Sequence, residues 1–205
     1  MNASQFVLCA GLVSVIAMTG CSSTTMLESR KATGASVDLD RLNKVLVVAK
    51  TTDEAARRVA EDRMATYHKS FRVSYSVFSQ KEIMGNEGKY KESLKKAGYD
   101  GVLTIRFLGK GKETRYVQGT YIPGTYQSGP FGRPVSYNPG YYLPGYYRED
   151  VKNWIEVDVF SLVRNQLLWS GVTESTNLSG VDKTVTEVLD EVRRHMIKDK
   201  FIGGG

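Results

Sequence analysis

Residues 44–49 read KVLVVA, and residues 51–54 that follow read TTDE. An unbroken apolar run of this length suits a strand covered on both faces, because successive side chains point to opposite sides and each must meet a packed layer. Thr51 and Glu54 have the Thr-x-x-Glu spacing of a capping box, and the helix it opens places Ala56, Val59, Ala60, Met64 and Tyr67 near one face. A strand running straight into a helix is a βα unit. The fold therefore begins near Leu42 as an α/β arrangement.

Working toward the C-terminus, residues 71–78 alternate Phe71, Val73, Tyr75 and Val77 with Arg72, Ser74, Ser76 and Phe78, the pattern of a second strand. Residues 88–97 suit a short helix closed by Gly98. DGVLTIRFL at 100–108 reads as a third strand and residues 113–121 as a fourth. Beyond an unusual insertion, residues 151–163 put Ile155, Val157 and Val159 on one face and Trp154, Glu156, Asp158 and Phe160 on the other. The chain turns at 164–166 and LLWSGVT at 167–173 returns, which predicts an antiparallel hairpin. Ser179, with Asp182 three residues on, is placed to cap a closing helix striped by Val181, Val185, Val188, Val192 and Met196. The order βαβαββ, insertion, ββα predicts a single-domain α/β (α+β) sandwich, with a mixed β-sheet and helices packed on at least one face.

The start of the chain fixes an address. Residues 6–18 read FVLCAGLVSVIAM, an uncharged apolar run too short to cross a bilayer core, which needs about 20 residues, and so suited to a signal-peptide core. Met18-Thr19-Gly20-Cys21 follows and resembles the lipobox at which bacterial lipoprotein signals are cleaved. The resemblance implies that Cys21 becomes the first mature residue and carries acyl chains, each buried methylene contributing about 0.8 kcal/mol to membrane attachment. With Ser22 rather than Asp after it, the enterobacterial sorting pattern implies the outer membrane, facing the periplasm. Cys9 lies in the removed segment, so the mature domain holds no disulfide. Residues 1–20 are then signal peptide and 21–41 the lipidated cysteine and a polar, flexible tether. The domain spans 42–202, with the insertion at 116–147, and a glycine tail closes the chain at 203–205.

Several signatures occur together: the lipobox, the run Tyr99-Asp100-Gly101-Val102-Leu103, the basic strand over 111–121, and the Tyr/Pro/Gly insertion. The hairpin ending Leu168-Trp169-Ser170-Gly171 and the closing amphipathic helix complete the set. Together they resemble a family of small bacterial lipoproteins with an α/β domain of unknown function. The resemblance implies a lipid-anchored periplasmic α/β domain and brings no catalytic residues.

The insertion is the least ordinary stretch. Residues 116–147 contain eight of the twelve tyrosines, all five prolines and six glycines, with Arg133 the only charged residue. This composition predicts a long projecting loop or bent hairpin extension. A tyrosine ring has an apolar face and a hydrogen-bonding tip, so Tyr121, Tyr126, Phe131, Tyr137, Tyr141, Tyr142, Tyr146 and Tyr147 form a candidate contact surface for a protein, a glycan strand or lipid headgroups. The competing reading is a flap that covers an open sheet face with these same rings.

Residues 89–115 carry eight basic side chains against three acidic ones, most of the chain's net charge of +6. Lys89, Lys95, Lys96, Lys110, Lys112 and Arg115 form a candidate basic patch; export excludes nucleic acid and leaves an envelope protein, peptidoglycan or anionic lipid as partner. His68 and His195 have no companions at ligand spacing, so no metal is expected, and no cofactor. Glu156 and Asp158 share a strand face and read as solvent-facing charge rather than an acid/base pair. Ser170 lacks a Gly-x-Ser-x-Gly elbow. The expectation is a non-enzymatic binding or accessory protein of the envelope. A structural or oligomerising role is the alternative, and a hydrolase with an unrecognised site the remaining one.

Overall fold

The computed structural model of the 205-residue chain describes residues 23–33, 39–83, 88–132 and 134–203. The signal segment and Cys21 lie outside the described residues. The first half of the chain gives β1 (Thr24–Lys31), β2 (Val45–Lys50), α1 (Glu54–Ala65), β3 (Phe71–Val73), the short α2 (Gln80–Ile83), α3 (Gly88–Lys96) and β4 (Gly101–Val117). The second half gives β5 (Thr120–Ile122), β6 (Thr125–Ser128), β7 (Pro134–Asn138), β8 (Tyr141–Leu143), β9 (Tyr146–Ser161), β10 (Gln166–Thr176) and α4 (Val181–Lys198). Six strands make one mixed sheet in the order β1-β10-β9-β4-β2-β3, with β2 parallel to β3 and β4 and the other pairs antiparallel. The α/β class, the single domain and the mixed sheet agree with the sequence. Among the described residues no helix is long and apolar enough to cross a membrane.

The apolar run of β2 meets two layers, as its composition requires. Val45, Val47 and Ala49 pack with Leu103, Ile105, Val157, Val159 and Trp169 against α1 and α4, while Leu46 and Val48 join Leu94, Tyr99 and Leu162 beneath α3. In α4 the residues Val188, Val192 and Met196 of the expected stripe are buried, with Val185 packed at the margin.

Five local expectations are corrected. The α1 cap is Asp53, whose Oδ1 accepts from the backbone N of Ala55 and Ala56 at 2.9 and 3.2 Å; Glu54 pairs with Arg57 and Arg58 instead of completing a capping box. The second strand stops at Val73, because the N–H groups of Ser74 and Tyr75 donate to the Glu61 carboxylate at 2.6 and 3.1 Å and turn the chain. The third and fourth strands are one, β4, with a bulge between Phe107 and Gly109; the six-membered ring of Trp154 occupies the space a side chain at Gly111 would need. At α4 the N-cap is Gly180 at φ 86°, a left-handed conformation that glycine adopts without steric cost, and Ser179 makes no cap.

The fifth concerns the expected tether. Residues 24–31 form β1, paired antiparallel with β10 from Thr24↔Ser175 to Lys31↔Trp169. Only Met26 of the strand packs on the main core. Beyond the ladder its other attachments are polar: Ser23 Oγ donates to Glu187 at 2.9 Å, the Met26 N–H donates to the buried Glu191 carboxylate at 3.2 Å, and Lys31 Nζ donates to the Lys200 carbonyl at 2.6 Å.

Candidate functional site

β4 and β9 pair from Gly101↔Ser161 to Val117↔Tyr146, but β2 ends opposite Arg106 and β10 ends opposite Lys152. Past that level, among the described residues, no third strand lies beside the β4/β9 ribbon. It continues through β5 with β8 and β6 with β7, and closes in a short turn at Pro130–Gly132. The thirteen paired residues on the outgoing side between Lys112 and Ser128 correspond to about 40 Å of strand. The insertion is thus an arm, and it does not cover the sheet. All eight of its tyrosines are more than half exposed, from 55% at Tyr116 to 76% at Tyr147, and Phe131 at the tip is wholly exposed.

The structure brings together every tyrosine expected at the contact surface and reveals why they recur. The outgoing strand reads YVQGT, YIPGT, YQSGP over 116–130, and the returning strand PVSYN, PGYYL, PGYYR over 134–148. This five-residue repeat places Tyr116 opposite Tyr147, Tyr121 opposite Tyr142 and Tyr126 opposite Tyr137. Tyrosine rings then lie diagonally over glycines of the facing strand. A Cβ at Gly119 would strike the Tyr142 ring, one at Gly140 the Tyr121 ring and one at Gly145 the Tyr116 ring. A two-stranded ribbon is marginal in water, and cross-strand aromatic packing contributes about 0.2–1 kcal/mol per pair, so these contacts stiffen the arm where proline interrupts the ladder. Consecutive strand residues face opposite sides, so Tyr141-Tyr142 and Tyr146-Tyr147 put rings on both faces. The signal available in the sequence was the fixed spacing of five.

Where the arm leaves the domain, charge is matched within the ribbon. Lys112 pairs with Glu149 at 2.8 Å and Lys152 with Glu113 at 2.7 Å. Arg115 faces Arg148 directly across the ladder, a like-charge opposition that alone would push the strands apart. The buried Asp150 carboxylate resolves it, lying 2.9 Å from Arg148 Nε and 3.7 Å from Arg115, and accepting from Asn177 Nδ2 at 2.7 Å. The bond from Arg148, then that from Asn177, hold the Asp150 carboxyl below the usual aspartate range. A folded-state pKa below the unfolded one gives stabilisation that is present above the ordinary aspartate pKa, about 4, and lost as pH falls through that value and below. Asp150→Asn is therefore expected to speed hydrogen exchange of the Lys112 to Val117 amides at neutral pH. It should also remove the acid-induced loosening of these amides that the wild type shows; an unchanged exchange profile would contradict this.

The expected basic patch is divided. Lys89 is the second residue of α3, and its side chain lies outside the described residues; Lys95 and Lys96 are exposed in the last turn of that helix. Lys110, Lys112 and Arg115 sit toward the arm, and from Gly101, where the chain leaves α3, to Lys110 the strand covers about 30 Å.

A concavity of about 470 Å³ opens on the α3 side of the sheet. Leu46, Val48, Val102, Phe160 and Leu162 line its apolar part, and Lys50, Arg106 and Asp158 its polar end. Arg106 Nε donates to Glu156 at 2.9 Å and its guanidinium lies 3.9 Å from Asp158. Glu156 and Asp158 thus share a strand face, as expected, and also share an arginine. Burial pushes the Asp158 carboxyl up against the opposing pull of Ser170, and burial with the neighbouring Arg106 pushes the Lys50 ammonium down. Arg106 thus ties together the two carboxylates of this rim. His68 Nδ1 contacts Ser70 Oγ at 2.7 Å and His195 Nδ1 contacts Glu191, both local to their own segments.

No protein-family model matches the chain, and no curated protein is significantly similar to it. Among solved structures the fold is similar to that of a PelC dodecamer from Paraburkholderia phytofirmans in two crystal forms. One is 14% identical, covering 87% of this chain and 99% of that one with a TM-score of 0.44, and the other 16% identical, covering 80% and 94% with a TM-score of 0.42. It is also similar to lipoprotein GNA1162 from Neisseria meningitidis, 11% identical over 76% of this chain and 98% of that one, with a TM-score of 0.37. These likenesses are too distant to bear on function.

Proposed function

We propose that the chain is a non-enzymatic envelope lipoprotein, held in the outer membrane by acyl chains on Cys21 and facing the periplasm, that acts by contact through its tyrosine arm. The carrying observation is that the arm stands clear of the domain with its tyrosine rings exposed, a state in which their apolar faces gain from meeting a partner. The lipobox-like Met18-Thr19-Gly20-Cys21 supports the anchor.

Because Val117 and Tyr146 are register partners, residues 118–145 can be replaced by Asn-Gly, a dipeptide suited to a two-residue hairpin turn. The shortened protein should keep its melting temperature within a few degrees, since none of the arm's described side chains belongs to either core. It should fail to complement a deletion strain and lose its crosslinked partners. Full complementation with every partner retained would end the proposal. Labelled fatty acid should enter the wild type and not Cys21→Ala, equal labelling removing the anchor.

A second reading, association between copies, is favoured by β1, an eight-residue strand at the sheet edge. Sedimentation of a single species of monomer mass at high concentration would dismiss it.

A further inference from the structure

We propose that the partner of the arm is the lipid surface itself: the arm lies along the headgroup layer of the membrane that holds Cys21. This rests on the anchor reading above and adds a direction and a partner to it.

The direction comes from strand register. Thr24 pairs with Ser175, Ser175 with Asn153 and Asn153 with Lys110, so the first residue of β1 sits level with the point where β4 leaves the sheet. β1 runs antiparallel to β10, with its N-terminal end toward the arm. The carbonyl of Ser23 is already fixed by the N–H of Thr176 at 2.9 Å. Only Ser22 lies between Ser23 and Cys21, two residue steps and at most about 7 Å of chain. The anchor therefore leaves the domain at the end of the sheet from which the arm projects, and it leaves on a short leash. A membrane at Cys21 stands in the path of a ribbon that runs on for about 40 Å.

The surface chemistry agrees. Over 116–147 a single charged residue, Arg133, accompanies eight tyrosines, and tyrosine gathers at the level of lipid headgroups, where its ring is apolar and its hydroxyl hydrated. Phe131 is wholly exposed at the tip and held at a left-handed φ of 67°, a conformation unusual for a bulky side chain. The dense ion pairs of Lys112, Glu113, Glu149 and Asp150 begin where the domain does and mark the part that stays in water. Depth is limited by the backbone. A two-stranded ribbon has unpaired N–H and C=O groups along both edges, which the hydrocarbon core does not tolerate, so the arm rests in the interface and does not span.

The test attaches the mature chain, residues 21–205, through the Cys21 thiol to a maleimide phospholipid. The vesicles are of phosphatidylethanolamine and phosphatidylglycerol and contain brominated phosphatidylcholine. Read as the difference from the parent chain, whose Trp154 and Trp169 both variants share, Phe131→Trp reports the arm, and Val163→Trp, exposed in the turn between β9 and β10 at the other end of the sheet, reports the far side. Residence in the headgroup layer predicts quenching of the arm reporter about twofold or more beyond the far one, stronger from bromines near the headgroup than from those near the chain ends. Equal, weak quenching of both reporters overturns the proposal. So does quenching strongest from deep bromines in chemically crosslinked oligomers, which would mean strands crossing the bilayer. Attachment here is chemical, so these results judge the arm alone, whereas absence of labelled fatty acid in cells judges the anchor.

Discussion

Replacing Glu61 by alanine is expected to cost about 3–5 kcal/mol of folding stability, read as a large fall in the urea midpoint. The side chain is wholly buried, and its carboxylate accepts from the backbone N–H groups of Ala49, Ser74 and Tyr75, from Ser74 Oγ and from Arg57 Nε, at 2.6 to 3.1 Å. Removing it orphans three backbone donors and leaves the buried Arg57 guanidinium with Glu54, Ser74 and the Phe78 carbonyl. Many buried ion pairs can be exchanged for apolar residues without loss. This one should not be: Arg57→Met combined with Glu61→Leu still leaves the three N–H groups unmet, so the double variant should remain well below wild type. Recovery of wild-type stability in the double variant would show that the backbone contacts contribute little.

Trp169→Ala should be nearly as damaging, about 3–5 kcal/mol, which for a domain of this size lowers the melting temperature by roughly 10 °C. The indole is fully buried, lies over Gly171, stacks on Phe201 with ring centroids 6.3 Å apart, and donates through Nε1 to Asp199 Oδ2 at 2.9 Å. It pins the end of α4 and the turn after it onto β10. Trp169→Phe keeps most of the packing and loses the hydrogen bond, about 1 kcal/mol; a loss from this variant as large as from alanine would place the energy in the Asp199 contact.

Such features set the boundary of what the sequence made legible. KVLVVA, the alternation through Ile155, Val157 and Val159, and the valine stripe of α4 are periodic apolar signals, and each became the element it predicted. Arg57 and Glu61 were invisible for the same reason, since charged residues on a helix ordinarily face water and only the arrival of β2 and the Ser74 turn buries them. β1 has the composition of a tether because it carries one inward apolar residue, Met26, and is held by carboxylates 160 and more positions away. The Tyr/Pro/Gly insertion was recognised by composition. Its form depended on pairing tyrosines with glycines across the ribbon, which composition does not encode.

The placement of β1 also sets how the molecule bears load. If Cys21 is embedded in a membrane, drag on the domain is transmitted through an edge strand whose ladder with β10 runs parallel to the pull. Tension then falls on its hydrogen bonds together, in shear, rather than on the outermost bond at a time as in peeling. With only Ser22 between Cys21 and Ser23, the domain would ride on its membrane as a bolted part rather than as a float on a line.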